Sequence, residues 1–206
     1  MIDGPKSLVA RGYDLIAEAY LERYARSAVR DHWLGELITL LSKGARVLDL
    51  GCGAGIPVAR EIAARGFHVL GVDGSARQIE LARSNVPAAQ FLHADMTRVQ
   101  FAPASFDAIS AFYSITHVPR DEHAALFRRI ATWLKPGGAF VASLGAGQLC
   151  DWRGNWLGVQ MFFSHFDAAT NERLVRDAGF AIEQSKLIEQ DDEDGRFLWI
   201  VARVTK

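Results

Sequence analysis

The chain has 206 residues, 50% hydrophobic and 23% charged, which suits a globular protein and excludes disordered, collagen-like and coiled-coil chains. Lys and Arg total 23 against 24 Asp and Glu, a formal charge of -1, so the basic surplus of a domain that grips nucleic-acid phosphates is missing. No apolar run reaches the roughly 18 residues of a membrane span. Asp3, Gly4 and Pro5 stand where a signal peptide would build its apolar stretch, and the expected address is the cytoplasm. Two cysteines, Cys52 and Cys150, form neither a disulfide framework nor a metal-ligand spacing, and no metal is expected.

Along the chain, Tyr13, Ile16, Ala17, Tyr20 and Tyr24 recur at helical spacing, and Val29, Trp33, Leu37, Leu40 and Leu41 repeat the pattern. Ala45 to Leu50 is a β-rich run that ends in Gly51-Cys52-Gly53-Ala54-Gly55. Pro57 stands where the next helix begins and Gly66 where it stops. Phe67 to Val72 reads as a buried strand ending at Asp73, and Ser75 with Gln78 makes a capping box for a helix carrying Ile79 and Ala82 inward. Strands follow at Ala89 to His93 and Phe106 to Phe112, then a helix from Asp121 to Leu134 that stops at Pro136-Gly137-Gly138. Ala139 to Leu144 is the fifth strand. Residues 145–166 break the rhythm with glycines and aromatics, a helix spans Ala168 to Ala178, and two strands close the chain around a turn at Asp194-Gly195.

Five strands alternating with helices imply an α/β, doubly wound, mostly parallel sheet covered on both faces. The closing pair makes seven strands with an antiparallel edge. We read residues 1–206 as one domain, with a helical extension at 1–43 and an insertion at 145–166.

The chemistry concentrates at the carboxyl ends of the early strands, where open α/β sheets bind ligands. Three glycines at 51, 53 and 55, between a strand and a helix, let the backbone approach a ligand and expose its amides. Asp73, at the end of the second strand, is placed to take a ribose hydroxyl pair. The nicotinamide fingerprint would need a glycine at position 56, which is Ile56.

Val47-Leu48-Asp49-Leu50-Gly51-Cys52-Gly53-Ala54-Gly55 resembles the first motif of class I S-adenosylmethionine-dependent methyltransferases. Gly71-Val72-Asp73-Gly74-Ser75, His93-Ala94-Asp95-Met96, Phe106-Asp107-Ala108-Ile109 and Leu134-Lys135-Pro136-Gly137-Gly138 resemble that family's later motifs, in order, across residues 45–144. Tyr13-Asp14, Ala17 and Tyr20 resemble the Y-D-x-x-A-x-x-Y stretch of its small-molecule members, where a helix folds over the cofactor.

The resemblance implies a Rossmann-like methyltransferase fold with S-adenosylmethionine as cofactor and S-adenosylhomocysteine as product. It implies that Gly51, Cys52 and Gly53 line the methionine and ribose, with Asp49 orienting the amino group. Asp73 then takes the ribose hydroxyls, Gly74 and Ser75 pack by the adenine, and Asp95 and Met96 read its edge. Phe112 or Tyr113 sits beside the cationic sulfonium. Tyr13 and Tyr20 close over it from the N-terminal helix.

Branch signatures are informative by absence. Ala111-Phe112-Tyr113-Ser114 is not the Asn-Pro-Pro-Tyr-like motif of amino-methylating nucleic-acid and protein enzymes, and no acidic metal ligand stands there. The acceptor is therefore read as a small organic molecule with an oxygen or nitrogen nucleophile, under a substrate wall that includes Trp156 and Phe162 from the 145–166 insertion. His165 is the first candidate for general base and His117 the second; Tyr113 is a further pocket residue. The competing readings are a non-catalytic binder of the cofactor and a methyltransferase acting on RNA or protein. The assembly expected is a monomer or homodimer.

Overall fold

The computed structural model describes residues 4–24, 26–189 and 195–205. The acidic stretch from Asp191 to Asp194, half of the expected closing turn, lies outside them.

Elements run in chain order as α1 (Pro5–Tyr24), α2 (Ala28–Thr39), β1 (Arg46–Leu50), α3 (Val58–Ala64), β2 (His68–Asp73), α4 (Ala76–Asn85), β3 (Gln90–His93) and β4 (Phe106–Ala111). A 3-10 turn (Ile115–His117) leads to α5 (Arg120–Trp133), β5 (Leu134–Gly145), β6 (Leu149–Trp156), β7 (Val159–His165), α6 (Ala168–Asp177), β8 (Phe180–Glu189) and β9 (Arg196–Val204).

Seven strands form one sheet in the order β3-β2-β1-β4-β5-β9-β8. The first five pair in parallel, while β9 pairs antiparallel with both β5 and β8. The antiparallel character at this edge thus comes from β9, one place in, with β8 outermost. Buried runs such as Val47-Leu48 in β1 and Phe140-Val141-Ala142 in β5 are apolar on both faces because helices cover both. Trp33, Leu37, Ile62 and Ile79 from α2, α3 and α4 pack on one side, and Phe127, Ile130 and Val175 from α5 and α6 on the other. The rings of Trp33 and Trp199 stack at 5.5 Å and seat α2 on β9.

Two local features differ from the sequence reading. The Pro136-Gly137-Gly138 stop is absorbed into β5, which starts at Leu134 directly after α5 and shifts its register against β4 between Phe106 and Ala108. Residues 145–166 form mainly a separate two-stranded hairpin, β6 with β7. Its second strand lies behind α1, where a Cβ on Gly12 would come within 2.9 Å of Met161 Cε and 3.1 Å of Gln160 O. Among the described residues, no helix is long and apolar enough to cross a membrane.

Candidate functional site

The strand order reverses between β1 and β4, and a cleft of about 680 Å³ opens at their carboxyl ends. The glycine loop is its floor. Gly51, at φ +75°, packs so closely on the start of the 3-10 turn that a Cβ would fall 2.2 Å from Ser114 Cβ. Four of the loop's amides donate within the protein and not toward a ligand, contrary to the sequence expectation. Gly51 N and Cys52 N both donate to Val72 O (2.7 and 3.1 Å), Gly55 N to Cys52 O (3.0 Å), and Gly53 N to Asp73 Oδ2 (2.9 Å). A loop folded this tightly onto the end of β2 has to satisfy its own buried N–H groups, and it does so internally.

Three acids surround this floor. Asp49 is buried in β1, where its Oδ1 accepts from Ser110 Oγ at 2.7 Å and its Oδ2 meets no partner among the described residues. Burial lifts its pKa to about 7. Asp73 is fixed by Ser75 N on Oδ1 (2.8 Å) and Gly53 N on Oδ2 (2.9 Å), and burial raises its pKa as well. Asp73 lines the cleft, and each of its oxygens keeps further acceptor capacity.

Asp95 is more heavily engaged. Its Oδ1 accepts from Thr97 N and Thr97 Oγ1, both at 2.8 Å, and its Oδ2 pairs with Lys6 Nζ at 2.9 Å. Lys6 also reaches Thr97 Oγ1 (2.7 Å) and Glu122 Oε2 (2.8 Å), tying the first turn of α1 across the cleft. Burial pushes the Asp95 carboxyl up, but the Lys6 and Thr97 hydrogen bonds outweigh it and hold the pKa below its ordinary value.

Met96 lines the cleft with its Cε 3.5 Å from where a Gly51 Cβ would stand. Gly74 O accepts from His93 Nε2 at 2.9 Å. Ser75 Oγ accepts from Gln78 N (3.1 Å) and donates to Asp14 Oδ1 (2.6 Å). Only half of the expected capping box forms. Asp73 has taken the Ser75 amide, and the buried Gln78 side chain, with neither Oε1 nor Nε2 partnered among the described residues, turns toward Gly53.

The roof is α1. Tyr13 Oη lies 2.9 Å from His117 Nε2, and His117 Nδ1 lies 2.8 Å from Phe162 O. A carbonyl only accepts, so the proton sits on Nδ1, Nε2 is a bare acceptor, and the Tyr13 hydroxyl donates to it. Burial keeps this imidazole neutral, with a pKa of about 4, and lifts the Tyr13 phenol well above its ordinary value. Tyr13, Tyr20, Phe112, Tyr113 and His117 all line the cleft. Tyr113 holds φ +55°, rare for an aromatic, with its N–H on Ser143 Oγ (2.7 Å) and its ring edge-on to Phe197 and Trp199.

Three sequence candidates lie elsewhere. Trp156 stands behind α1, its ring stacked at 6.4 Å on Tyr24 and angled against Tyr13 and Tyr20. Phe162 is fully buried and serves the site through its carbonyl, while the neighbouring Phe163 ring backs His117 at 4.5 Å. His165 bonds Gly147 O and fills the space left by Gly145, where a Cβ would lie 2.2 Å from its Cγ. Side chains two apart on a strand are displaced by about 7 Å, so His165 falls one pleat beyond the residue that reaches His117. Lys6, Arg30 and Gln78 belong to the cleft or its margin; Lys6 and Arg30 carry no sequence signal beyond an ordinary helix position, and Gln78 reads only as part of a helix cap.

Residues 47–138 match the family model described as a methyltransferase domain. The chain is 30% identical over 152 residues to a 27-O-demethylrifamycin SV methyltransferase of Amycolatopsis mediterranei, covering 63% of this chain and 55% of that one. It is 29% identical to a ubiquinone biosynthesis O-methyltransferase of Aeromonas salmonicida, covering 68% and 59%. The chain thus spans about half the length of the curated relatives it matches. Its fold is similar to the solved Burkholderia thailandensis 1,6-didemethyltoxoflavin-N1-methyltransferase, with a TM-score of 0.78 at 19% identity over 100% of this chain and 92% of that one. The motif order, the reversed sheet order and these likenesses agree: residues 47–138 are similar to a methyltransferase domain, and the fold is that of the class I S-adenosylmethionine-dependent methyltransferases.

Proposed function

We propose that this chain transfers the methyl group of S-adenosylmethionine to an oxygen or nitrogen nucleophile of a small organic molecule by in-line displacement. The residues fit the cofactor. The orphaned Asp49 Oδ2 suits an ammonium, the fixed Asp73 carboxylate suits a pair of hydroxyls, and the loop at Gly51 leaves no room for a side chain of its own. When bound, the cofactor supplies an electrophilic methyl on a sulfonium. A cleft of about 680 Å³ that also houses the cofactor leaves space for a small acceptor, within the roughly 300–1,000 Å³ of ordinary ligand sites.

The single observation that carries the reading is the Tyr13–His117 pair on the cleft wall, 2.9 Å apart with the tautomer fixed by Phe162 O. The acceptor's proton passes to Tyr13 Oη while the Tyr13 proton passes to His117 Nε2. A base with a pKa of about 4 suffices, because an oxygen that has gained a methyl while keeping its proton is strongly acidic. Phe112 and Tyr113 line the cleft at the end of β4, where aromatic rings suit a cation. His165, which bonds Gly147 O and does not line the cleft, has no role in this relay.

The test is turnover, by mass spectrometry of methylated product, with a panel of phenolic, hydroxyl and amine acceptors. Tyr13→Phe and His117→Gln are expected to lower kcat about 10- to 100-fold while S-adenosylhomocysteine still binds. His117 is neutral at any pH above about 4, so its acid limb lies near 4 rather than near the ordinary 6.5. Binding of S-adenosylhomocysteine with no turnover on any acceptor would favour a non-catalytic binder instead. Full activity in both variants would remove the proton relay.

A further inference from the structure

Four non-glycine residues among those described hold a positive φ: Ala104, Tyr113, Asp151 and Leu157. Tyr113 alone of them lines the cleft. We infer that Ser143, on the neighbouring strand β5 and outside the cleft lining, is a positioning residue for methyl transfer: by holding Tyr113 in this left-handed kink, it aims His117 at Tyr13. The inference rests on the proposal that the Tyr13–His117 pair serves the acceptor.

The kink is unfavourable in itself, since a Cβ in the left-handed region crowds the following carbonyl oxygen. A glycine would adopt it freely, yet position 113 carries a large ring, so the surroundings must hold the backbone there. Two side chains do so. Ser143 is fully buried and its Oγ accepts from Tyr113 N at 2.7 Å. Its partner across the β5–β9 ladder is Trp199, whose ring meets the Tyr113 ring edge-on at 5.4 Å. Residues directly opposite in an antiparallel pair share a face, so the amide and the ring are clamped from one side of the sheet.

The kink decides where His117 stands. β4 ends at Ala111, and extended chain from Tyr113 onward would carry position 117 about 13 Å further out. Instead the chain turns at Tyr113, Ser114 Oγ ties to Leu50 O at 2.7 Å, and the 3-10 turn follows with His117 N on Ser114 O at 3.1 Å. The groups facing the His117 ring are Tyr13 Oη from α1, and Phe162 O and the Phe163 ring from β7. The hairpin thus fixes the tautomer of the ring, and the kink fixes its place. A misplacement of about 1 Å in such a constellation costs on the order of 100-fold in rate.

Nitrogen-15 NMR of the histidine side chains in the full chain tests this without a known acceptor, the His117 signals being those lost in His117→Gln. The wild type is expected to hold one neutral tautomer, with the proton on Nδ1, titrating only near pH 4. Ser143→Ala strands the Tyr113 amide and frees the turn. His117 then gains water, its titration rises toward the ordinary 6.5, and its two tautomers average. In Tyr113→Gly the left-handed backbone needs no support, so adding Ser143→Ala moves the titration little. Where an acceptor is turned over, Ser143→Ala lowers kcat about tenfold with S-adenosylhomocysteine affinity within about threefold of the wild type.

An unmoved His117 in Ser143→Ala overturns the inference. So does an equal shift with tyrosine or glycine at position 113, which would make Ser143 a general prop of the sheet. Should Ser143→Ala fail to fold, shown by loss of signal dispersion, Ser143→Cys decides in the same way, since a thiol of similar size is the weaker acceptor. A wild type whose His117 titrates at the ordinary 6.5 instead sinks the reading of the Tyr13–His117 pair on which the inference stands.

Discussion

The floor and the roof of the cleft are built on different principles. The floor at the ends of β1, β2 and β4 is buried and bonded to itself: loop amides to Val72 O, Asp73 to Gly53 and Ser75, Ser114 Oγ to Leu50 O. The roof, α1, packs on the separate β6–β7 hairpin at Gly12 and its tyrosines, and adds polar ties to the floor: Lys6 to Asp95 and Glu122, Asp14 to Ser75 Oγ and Arg77 N, Glu18 to Arg77. The exposed tie among them, Glu18 to Arg77, contributes little and is screened by salt. The floor is thus set by its own bonds, and the roof by its fit to a separate hairpin.

The contrast is broken most severely at Gly51. Gly51→Ala adds a side chain in the left-handed region 2.2 Å from Ser114 Cβ, an expected loss of about 3 kcal/mol in stability together with loss of S-adenosylhomocysteine binding, read by thermal melting and titration. Asp73→Ala removes two charged acceptors and strands the Gly53 and Ser75 amides, so affinity is expected to fall about 100-fold, with a drop in melting temperature smaller than that of Gly51→Ala. If affinity stays, the assignment of the ribose site is wrong.

The floor also has a proton signature. In the free protein Asp49 holds its proton up to about pH 7, so its contribution to stability is complete below the ordinary carboxylate range and is lost as pH rises through about 7. An ammonium beside Oδ2 favours the carboxylate. Binding near pH 6 is therefore expected to release close to one proton, fading above about pH 8, measurable by calorimetry in buffers of different ionisation enthalpy. Asp49→Asn should abolish the release. The smallest effect belongs to the roof: Arg77→Gln is expected to shift affinity by no more than about twofold, and less at high salt.

This division also separates what the sequence discloses from what it conceals. The floor is legible because its parts are neighbours in the chain. Strand, glycine loop and helix are contiguous from 46 to 64, and the turn after β2 supplies Asp73 and Ser75 two residues apart. The roof joins residues 104 apart, Tyr13 with His117, and 61 apart, Asp14 with Ser75. No local pattern tells His117 from His165 as a base. Both precede an apolar or aromatic neighbour and a helix, and what separates them is that the 3-10 turn after β4 aims one inward while Gly145 admits the ring of the other. The half-made capping box at Ser75 hides Gln78 for a related reason: the spacing is that of a cap, but Asp73 claims the amide first.

Gly12 carries a consequence for engineering. It sits near the middle of α1, where a glycine weakens a helix by about 1 kcal/mol relative to alanine, and it is the point at which Met161 and Gln160 O press against the helix backbone. Helix and hairpin are therefore cut to one another's shape. A hairpin borrowed from a relative brings a surface matched to a different helix, and a borrowed helix with any side chain at this position meets Met161 head-on. Any exchange of either element with a similar protein therefore has to move residues 5–24 and 149–165 together, leaving the glycine loop behind.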